Sequence, residues 1–369
     1  MKKLYILILL LFTLNAGNAQ DWNILNSGTS EDLSCVYFTD VNTGYAVGAN
    51  GIILKTTNAG TTWTSQNSGT SNYLSSVYFI DANTGYAVGE HGVITKTTNG
   101  GVNWTSNTSV TSNWLNTVFF INANTGYIGD NNGYIYKTTN GGSAWTSQNC
   151  TSFLYSIYFT DVNVGYAVGS GILKTIDGGN NWTVQNTGTI YAEHSVYFID
   201  SDIGYAVGAN GEIYSTNNGG TLWTNQSFGG YFYSVFFPVS NIGYTVGRYG
   251  RIYKTTNSGI DWISQTSGTS NDLNSVYFTD ANTGYVVGLQ GTILKTINGG
   301  TAISEFSENH HKMLIYPNLA KEKITIEVQN ISQLLGANIL IYDIKGKLIL
   351  QDYIILKELR FAKNHAWIN

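Results

Sequence analysis

One phrase returns seven times along this chain of 369 residues, and the repeat constrains the fold more than any other feature. A Gly-Tyr pair marks each copy, at Gly44-Tyr45, Gly85-Tyr86, Gly126-Tyr127, Gly165-Tyr166, Gly204-Tyr205, Gly243-Tyr244 and Gly284-Tyr285. Successive pairs lie 39 to 41 residues apart. A period of about 40–45 residues, with four strands in each unit, is typical of the blades of a β-propeller. The sequence therefore predicts an all-β fold, a seven-bladed β-propeller.

Each unit contains four short runs of β-branched and aromatic residues, separated by turns rich in Gly and Asn. In the second unit these runs are residues 76–79, 86–89, 93–97 and 104–106. Runs of this length between turn-forming residues predict an antiparallel meander of four strands. One such meander cannot bury both of its faces, so we expect the units to stack on one another.

A tryptophan opens the fourth strand of each unit, and its placement indicates how the ring closes. These residues are Trp22, Trp63, Trp104, Trp145, Trp182, Trp223 and Trp262. The seventh unit has Ile303 where its own tryptophan would stand, whereas Trp22 precedes the first complete unit. We therefore expect residues 22–25 to form the outermost strand of blade seven, which fastens the two ends of the ring and removes a long exposed edge.

The charge and motif content excludes several functions. Charged residues make up 11% of the chain, against a usual ~25%, and the net charge is −5. The chain has no basic patch, so nucleic acid is not an expected partner. No nucleophile elbow, phosphate loop or metal-ligand spacing is present, so we expect no cofactor and no metal. The expected state is a monomer, and Cys35 and Cys150, on opposite sides of the predicted ring, are not expected to form a disulfide.

The two ends of the chain differ from the repeats. Basic residues Lys2 and Lys3 precede an apolar run over residues 4–14, which predicts a signal peptide at 1–19 and is too short to span a membrane. No transmembrane segment is expected. The repeats define a propeller domain at 20–303, followed by a polar linker at 304–312. Residues 313–369 contain alternating runs that predict a separate small β-sandwich.

The turn before each tryptophan resembles the Asp-box, S/T-x-D/N-x-G-x-x-W, as in Thr97-Thr98-Asn99-Gly100-Gly101-Val102-Asn103-Trp104. Its polar position is Asn58, Asn99, Asn140, Asp177, Asn218, Asn257 and Asn298. Together with the Gly-Tyr-Ala-Val-Gly stretch, residues 21–303 resemble the propeller repeat (BNR-like) of the photosystem II assembly and stability factors. The resemblance implies that these seven residues are structural, in the turn between the third and fourth strands. Those factors carry an arginine-rich surface, whereas Arg248 and Arg251 are the arginines of this propeller.

The tail resembles the C-terminal sorting domain of type IX secretion cargo. The match rests on Ile315-Tyr316-Pro317-Asn318, on residues 320–326 and on residues 341–348. The family's closing Gly-x-Tyr-x-x-Lys/Arg strand is missing, so the end is degenerate or truncated. The predicted signal peptide indicates export through the inner membrane, and the resemblance of the tail implies contact with the secretion machinery and release or attachment at the outer cell surface.

The repeats disagree most four residues before the recurrent Val or Ile of the first strand. Residues at this position are Asp32, Tyr73, Trp114, Phe153, Ala192, Tyr231 and Asp272. In a propeller this loop enters the blade at the mouth of the central channel, on the same face as the turn between strands two and three. We therefore predict a ligand-binding rim of Tyr73, His91, Trp114, Phe153, Tyr231, Arg248 and Tyr249. Exposed aromatic residues suit stacking on sugars or anchoring of a protein, and the alternative is that these rings pack on neighbouring blades.

These patterns together predict a secreted, non-enzymatic propeller scaffold that binds a glycan or a protein at the cell surface. One alternative is a polysaccharide hydrolase or lyase, since Asp-box propellers include glycosidases and a pair of carboxylates suffices for that chemistry. Its candidate acids are Asp32, Glu90, Asp130, Glu193 and Asp272. A second alternative, by resemblance of the repeats only, is a role like that of the photosystem II assembly factors. No catalytic residue is assigned, and enzymatic activity stays open.

Overall fold

The computed structural model describes residues 21–106, 110–150, 153–185 and 192–300, together with the backbone of four strands in the tail. Between residues 21 and 300 the described strands form seven four-stranded antiparallel sheets. The seven-bladed propeller predicted from the repeat is confirmed. Short 3-10 turns at Ala49–Gly51, Glu90–Gly92 and Arg248–Gly250 join the second and third strands of three blades.

The strands follow one another within each blade in chain order. They are β1 (Asn23–Leu25), which belongs to the last blade; β2 (Leu33–Phe38), β3 (Gly44–Gly48), β4 (Ile53–Thr56) and β5 (Thr64–Gln66) in blade one; β6 (Leu74–Phe79), β7 (Gly85–Gly89), β8 (Ile94–Thr97) and β9 (Thr105–Ser106) in blade two; β10 (Leu115–Phe120), β11 (Gly126–Asp130), β12 (Tyr134–Thr138) and β13 (Thr146–Asn149) in blade three; β14 (Leu154–Phe159), β15 (Gly165–Gly169), β16 (Gly171–Thr175) and β17 (Thr183–Gln185) in blade four; β18 (Glu193–Phe198), β19 (Ile203–Gly208), β20 (Glu212–Asn217) and β21 (Thr224–Ser227) in blade five; β22 (Phe232–Val239), β23 (Ile242–Gly247), β24 (Ile252–Thr255) and β25 (Ile263–Gln265) in blade six; β26 (Leu273–Phe278), β27 (Gly284–Gly288) and β28 (Ile293–Thr296) in blade seven.

The N-terminal strand closes the ring, as the tryptophan spacing predicts. Strand β1 pairs antiparallel with β28, with Asn23 opposite Lys295 and Leu25 opposite Ile293. The sheet order of blade seven is therefore β26-β27-β28-β1. The first strands of neighbouring blades contact one another all round the ring, β26 with β2 included, so these strands surround the channel.

The Gly-Tyr pair explains why the blades stack. A Cβ at Gly44 would meet the ring of Phe38 within 2.7 Å, so only glycine lets that ring lie across the sheet. The Tyr45 ring then stacks on Phe79 of the next blade at 4.0 Å. Its hydroxyl donates to the carbonyl of Gly100 in the Asp-box turn of that blade at 2.8 Å. The equivalent tyrosine hydroxyl donates into the next blade at all seven interfaces, the last being Tyr285 to Ala59.

The Asp-box residues lie in the turns between the third and fourth strands. In blade two, Asn99 Oδ1 accepts hydrogen bonds from the Thr97 hydroxyl and the Asn103 amide, while the Thr97 hydroxyl oxygen accepts from the Gly101 amide. The Thr-to-Asn or Thr-to-Asp bond recurs at Asn58, Asn140, Asp177, Asn218, Asn257 and Asn298. These hydrogen bonds hold the turn together. They satisfy the polar groups of the Asp-box without a bound ligand.

The tail is a separate part of the chain with its own strand pairs. Strand β29 (Met313–Tyr316) pairs with β30 (Thr325–Val328), and β31 (Asn338–Tyr342) pairs with β32 (Leu348–Tyr353). The β-sandwich and the domain boundaries predicted from the sequence stay predictions, as does the signal peptide, which lies outside the described residues. Among the described residues, no helix is long and apolar enough to cross a membrane.

Candidate functional site at the channel mouth

The loop that enters each blade is bonded to the turn between strands two and three of the same blade. In blade two the amide of Glu90 donates to the carbonyl of Tyr73 at 2.9 Å. The same bond joins Ala49 to Asp32, Asn131 to Trp114, Ser170 to Phe153, Ala209 to Ala192, Arg248 to Tyr231 and Leu289 to Asp272. The two sets of loops therefore form one face around the mouth, and its backbone is held by a repeated hydrogen bond.

A β-bulge follows this loop in every blade. In blade one Leu33 pairs with Gly48 and Cys35 with Val47, so Ser34 is an extra residue on the first strand. The extra residues of the other blades are Ser75, Asn116, Tyr155, His194, Tyr233 and Asn274. A bulge redirects the side chain at which it occurs. The bulged residue of each blade is thus the one brought to the channel.

These seven bulged residues line a cavity of about 410 Å³ at the mouth. Two further residues complete the lining, namely Tyr73 and Trp114. Aromatic and imidazole rings come from blades two to six, whereas the small polar side chains come from blades seven, one, two and three. Rings alone therefore line the mouth at blades four to six, small polar groups alone line it at blades seven and one, and blades two and three supply both.

Of the residues predicted for the rim, Tyr73 and Trp114 line this cavity. Their ring centroids are 5.5 Å apart with the planes at 53°. The indole N–H of Trp114 donates to Ser75 Oγ at 2.7 Å, which fixes the ring at the wall. Both rings are half-buried, so they combine packing on a neighbouring blade with an accessible surface.

Arg248 and Tyr231 form a second cluster outside the lining, in which the Arg248 side chain is 41% exposed. The guanidinium carbon lies 4.0 Å from the centroid of the Tyr231 ring, and Nε donates to the Tyr233 hydroxyl at 2.7 Å. The Asp272 carboxylate is 3.9 Å from Nε and also accepts the Tyr249 amide. The charge of Arg248 is therefore balanced within the cluster, and the cluster holds Tyr233 in place.

The remaining predicted residues stand on the same face outside the cavity lining. Phe153 is 54% exposed, and Tyr249 is 70% exposed in a left-handed turn position with φ of 59°. His91 occupies the equivalent position of blade two, with φ of 54°. The structure thus brings two of the seven predicted residues into the cavity and leaves the others outside it.

The bulged residues were missed by reasoning from the sequence. Their position reads Ser, Ser, Asn, Tyr, His, Tyr and Asn in the seven repeats, which is as variable as the position four residues before the Val. That variability was an available signal. Strict alternation of side chains along a strand takes no account of an inserted residue. It therefore places the residue after the bulged one, and not the bulged residue itself, on the face toward the channel.

Three of the five carboxylates considered for hydrolysis, those of Asp32, Asp130 and Asp272, accept hydrogen bonds from backbone amides of the rim turns. Asp130 is buried and accepts from the Asn113 amide group, the backbone amides of Asn132 and Tyr134, and the Tyr136 hydroxyl. Elsewhere, Asp32 accepts from the Gln290 amide of the preceding blade, and Glu193 is buried. In the described part of the chain, no group of three or more His, Cys, Asp or Glu side chains is placed to hold a metal ion.

His194 is uncharged in the folded protein at neutral pH. Burial, and then the positive charge of Arg248, lower the pKa of His194 to about 4. Its ring lies 4.7 Å from Tyr155 and 5.4 Å from Tyr233, so it belongs to a continuous row of rings. At pH 7 the cavity lining accordingly carries no ionised side chain.

This shift predicts a loss of stability in mild acid. An unfolded histidine titrates near 6.5, so between about pH 6.5 and pH 4 the unfolded state binds a proton that the folded state does not. The free energy of unfolding should fall over this window by roughly 2–3 kcal/mol from His194. Urea unfolding at pH 7 and pH 4.5 measures it, and a His194→Gln variant should lack that part of the decrease. An equal decrease in wild type and variant would contradict the assignment.

Two parts of the chain match known protein families. Residues 14–150 and 147–273 match the family described as Photosynthesis system II assembly factor YCF48. Residues 314–363 match the Secretion system C-terminal sorting domain. No curated protein sequence matches the chain.

Solved structures share the propeller fold. The structure described as YCF48 bound to D1 peptide has a TM-score of 0.66 at 19% identity, covering 78% of this chain and 100% of that chain. YCF48 from Cyanidioschyzon merolae has a TM-score of 0.64 at 21% identity, covering 74% of this chain and 98% of that chain. The RRP9 WD40 repeats reach 0.67 at 8% identity, covering 79% and 100%. At these identities the likeness establishes the fold alone.

Proposed function

The chain belongs to the Photosynthesis system II assembly factor YCF48 family and ends in a secretion system C-terminal sorting domain, and we propose that it is a secreted, non-enzymatic propeller that binds a glycan or a protein at the cell surface. The sorting domain implies export and contact with the type IX secretion machinery. We propose the class of ligand, the absence of catalysis and the position of the binding face.

The observation that carries the proposal is the aromatic mouth. Tyr73 and Trp114 present half-buried rings on a face whose backbone is rigidly bonded, and Phe153 and Tyr249 extend exposed rings around it. Rigid aromatic side chains contribute large contact areas at little entropic cost, which is typical of binding surfaces. The carboxylates of Asp32, Asp130 and Asp272 are engaged in hydrogen bonds that hold the loops, which favours binding over hydrolysis.

One of the two proposed ligand classes is a segment of a protein. A structural relative, YCF48, is described in complex with D1 peptide. This chain has just two propeller arginines, and Arg248 is balanced by Asp272. The binding proposed here therefore rests on the rings and not on a basic surface.

A Tyr73→Ala, Trp114→Ala double variant tests the face, because both rings line the mouth. We expect it to lose at least tenfold in affinity for whatever the wild-type protein binds on an array of glycans and surface proteins, since each ring contributes about 1 kcal/mol or more to a stacked contact. A Leu222→Ala variant is the control, because Leu222 is exposed beside an Asp-box turn between strands three and four. Unaltered binding by a folded double variant would rule out the mouth as the binding face.

A further inference from the structure

From the size and chemistry of its lining, we infer that the mouth binds an uncharged saccharide rather than a protein surface. This inference rests on the proposed function, because it names the ligand class of the same site. Four features of the cavity support it. They are its volume, its lining of rings and small polar groups, the absence of charged residues from that lining, and the fixed position of its polar groups.

The volume suits a small ligand or the end of a chain. Ligand pockets measure about 300–1,000 Å³, and the cavity of about 410 Å³ lies in that range. A stable protein interface buries about 800 Å² on each partner and engages some 20–30 residues a side. Nine residues line the mouth, so the recessed part of this face is too small to account for a protein partner on its own.

The two kinds of group in the lining match the two kinds of surface on a sugar ring. The lining includes the rings of Tyr73, Trp114, Tyr155, His194 and Tyr233, which suit the C–H faces of a pyranose. It also includes Ser34, Ser75, Asn116 and Asn274, whose hydroxyl and amide groups suit sugar hydroxyls. Pockets of this kind combine an apolar wall with a few placed polar groups.

The lining disfavours a charged ligand. None of the nine residues is Asp, Glu, Lys or Arg, and Arg248, which is outside the lining, is already engaged with Tyr233 and Asp272. A buried charge without a partner costs several kcal/mol. A carboxylate or ammonium group on the ligand would therefore enter without compensation.

The polar groups are held before a ligand arrives. The Asn116 amide nitrogen donates to the Leu154 carbonyl at 2.7 Å, and the Asn274 nitrogen donates to the Leu33 carbonyl at 2.8 Å. Each bond orients the amide and leaves its oxygen to accept from a hydroxyl. Ligands that donate several hydrogen bonds from adjacent hydroxyls fit this set, and preorganised groups bind at a lower entropic cost.

Calorimetry with the full chain tests the ligand class. The probes are cello-, laminari-, xylo- and manno-oligosaccharides of two to six units, an oligomer of a uronic acid, and the peptides and proteins of the array. We expect a neutral oligosaccharide to bind, and the uronic acid oligomer to bind at least tenfold more weakly. Tyr155→Ala, which removes a ring that is 37% exposed, should weaken binding by roughly three- to tenfold.

Tryptophan fluorescence locates the sugar. Trp114 lies at the mouth, whereas Trp22 and the six Asp-box tryptophans lie at the outermost strands of the blades. A saccharide should change the emission of wild type, and Trp114→Phe should abolish that change while weakening, without abolishing, the binding that calorimetry measures. Mouth-dependent binding of peptides or proteins without any neutral sugar, or stronger binding of the uronic acid, would overturn the inference and leave the proposed function standing. An absence of mouth-dependent binding to any probe would overturn both.

Discussion

Removing residues 21–25 is expected to lower the melting temperature of the propeller by about 10 °C or more. Trp22 is fully buried and packs edge-on against Tyr244 at 6.1 Å and Phe278 at 5.8 Å. Loss of a buried tryptophan costs about 3–5 kcal/mol, and in a domain of this size 1 kcal/mol corresponds to about 2–4 °C. The deletion also leaves the outer edge of β28 unpaired, which favours association of chains.

Two point variants separate the packing of Trp22 from the presence of the strand. Trp22→Ala should reproduce most of the loss, since it leaves a cavity between blades six and seven. Ile24→Ala, in the same strand, should change stability by less than about 0.5 kcal/mol because Ile24 is 58% exposed. Thermal melts and size-exclusion chromatography measure these effects. If the deleted protein melted like wild type, β1 would not be the element that secures the ring.

Deleting residues 305–369 is expected to abolish delivery to the cell surface while leaving a folded propeller. The family match places the sorting domain at 314–363, and the propeller strands end at Thr296. The described tail strands pair only with one another and share no sheet with a blade. The truncated chain should therefore melt within a few degrees of the full chain, since Trp22 closes blade seven.

Export is measured in a host with a working type IX secretion system, by surface labelling and fractionation. Fusion of residues 305–369 to an unrelated exported reporter is the complement, and the reporter should reach the cell surface. A truncated protein that still reached the cell surface would show that the sorting signal lies elsewhere in the chain. A truncated protein that fails to fold would show that the tail contributes to the propeller.

The architecture could be derived from the sequence because each repeat contains the residues that pack one blade against the next. Gly44 admits the ring of Phe38, and Tyr45 reaches the next blade, so each copy specifies both a blade and its interface. A copy lacking its tryptophan and an extra tryptophan at the start of the chain were sufficient to predict the closure of the ring. These features are local and periodic, and they are visible in a single chain.

The mouth was predicted only in part. The loops before each first strand do share a face with the turns between strands two and three, to which they are hydrogen-bonded. The variable position in those loops identified two lining residues, Tyr73 and Trp114. The predicted rim also included Tyr231, Arg248, Phe153 and Tyr249. In the structure Tyr231 and Arg248 form a separate cluster, and Phe153 and Tyr249 stand exposed around the cavity.

By itself the sequence determined the number of blades, their boundaries and the strand that closes the ring, because each depends on residues that recur at a fixed spacing. Tertiary structure decided which side chains meet at the channel. An inserted residue in the first strand of every blade turns Ser34, Tyr155, His194 and their equivalents toward the mouth. A bulge depends on how one strand pairs with the next, which the pattern of a single strand does not record.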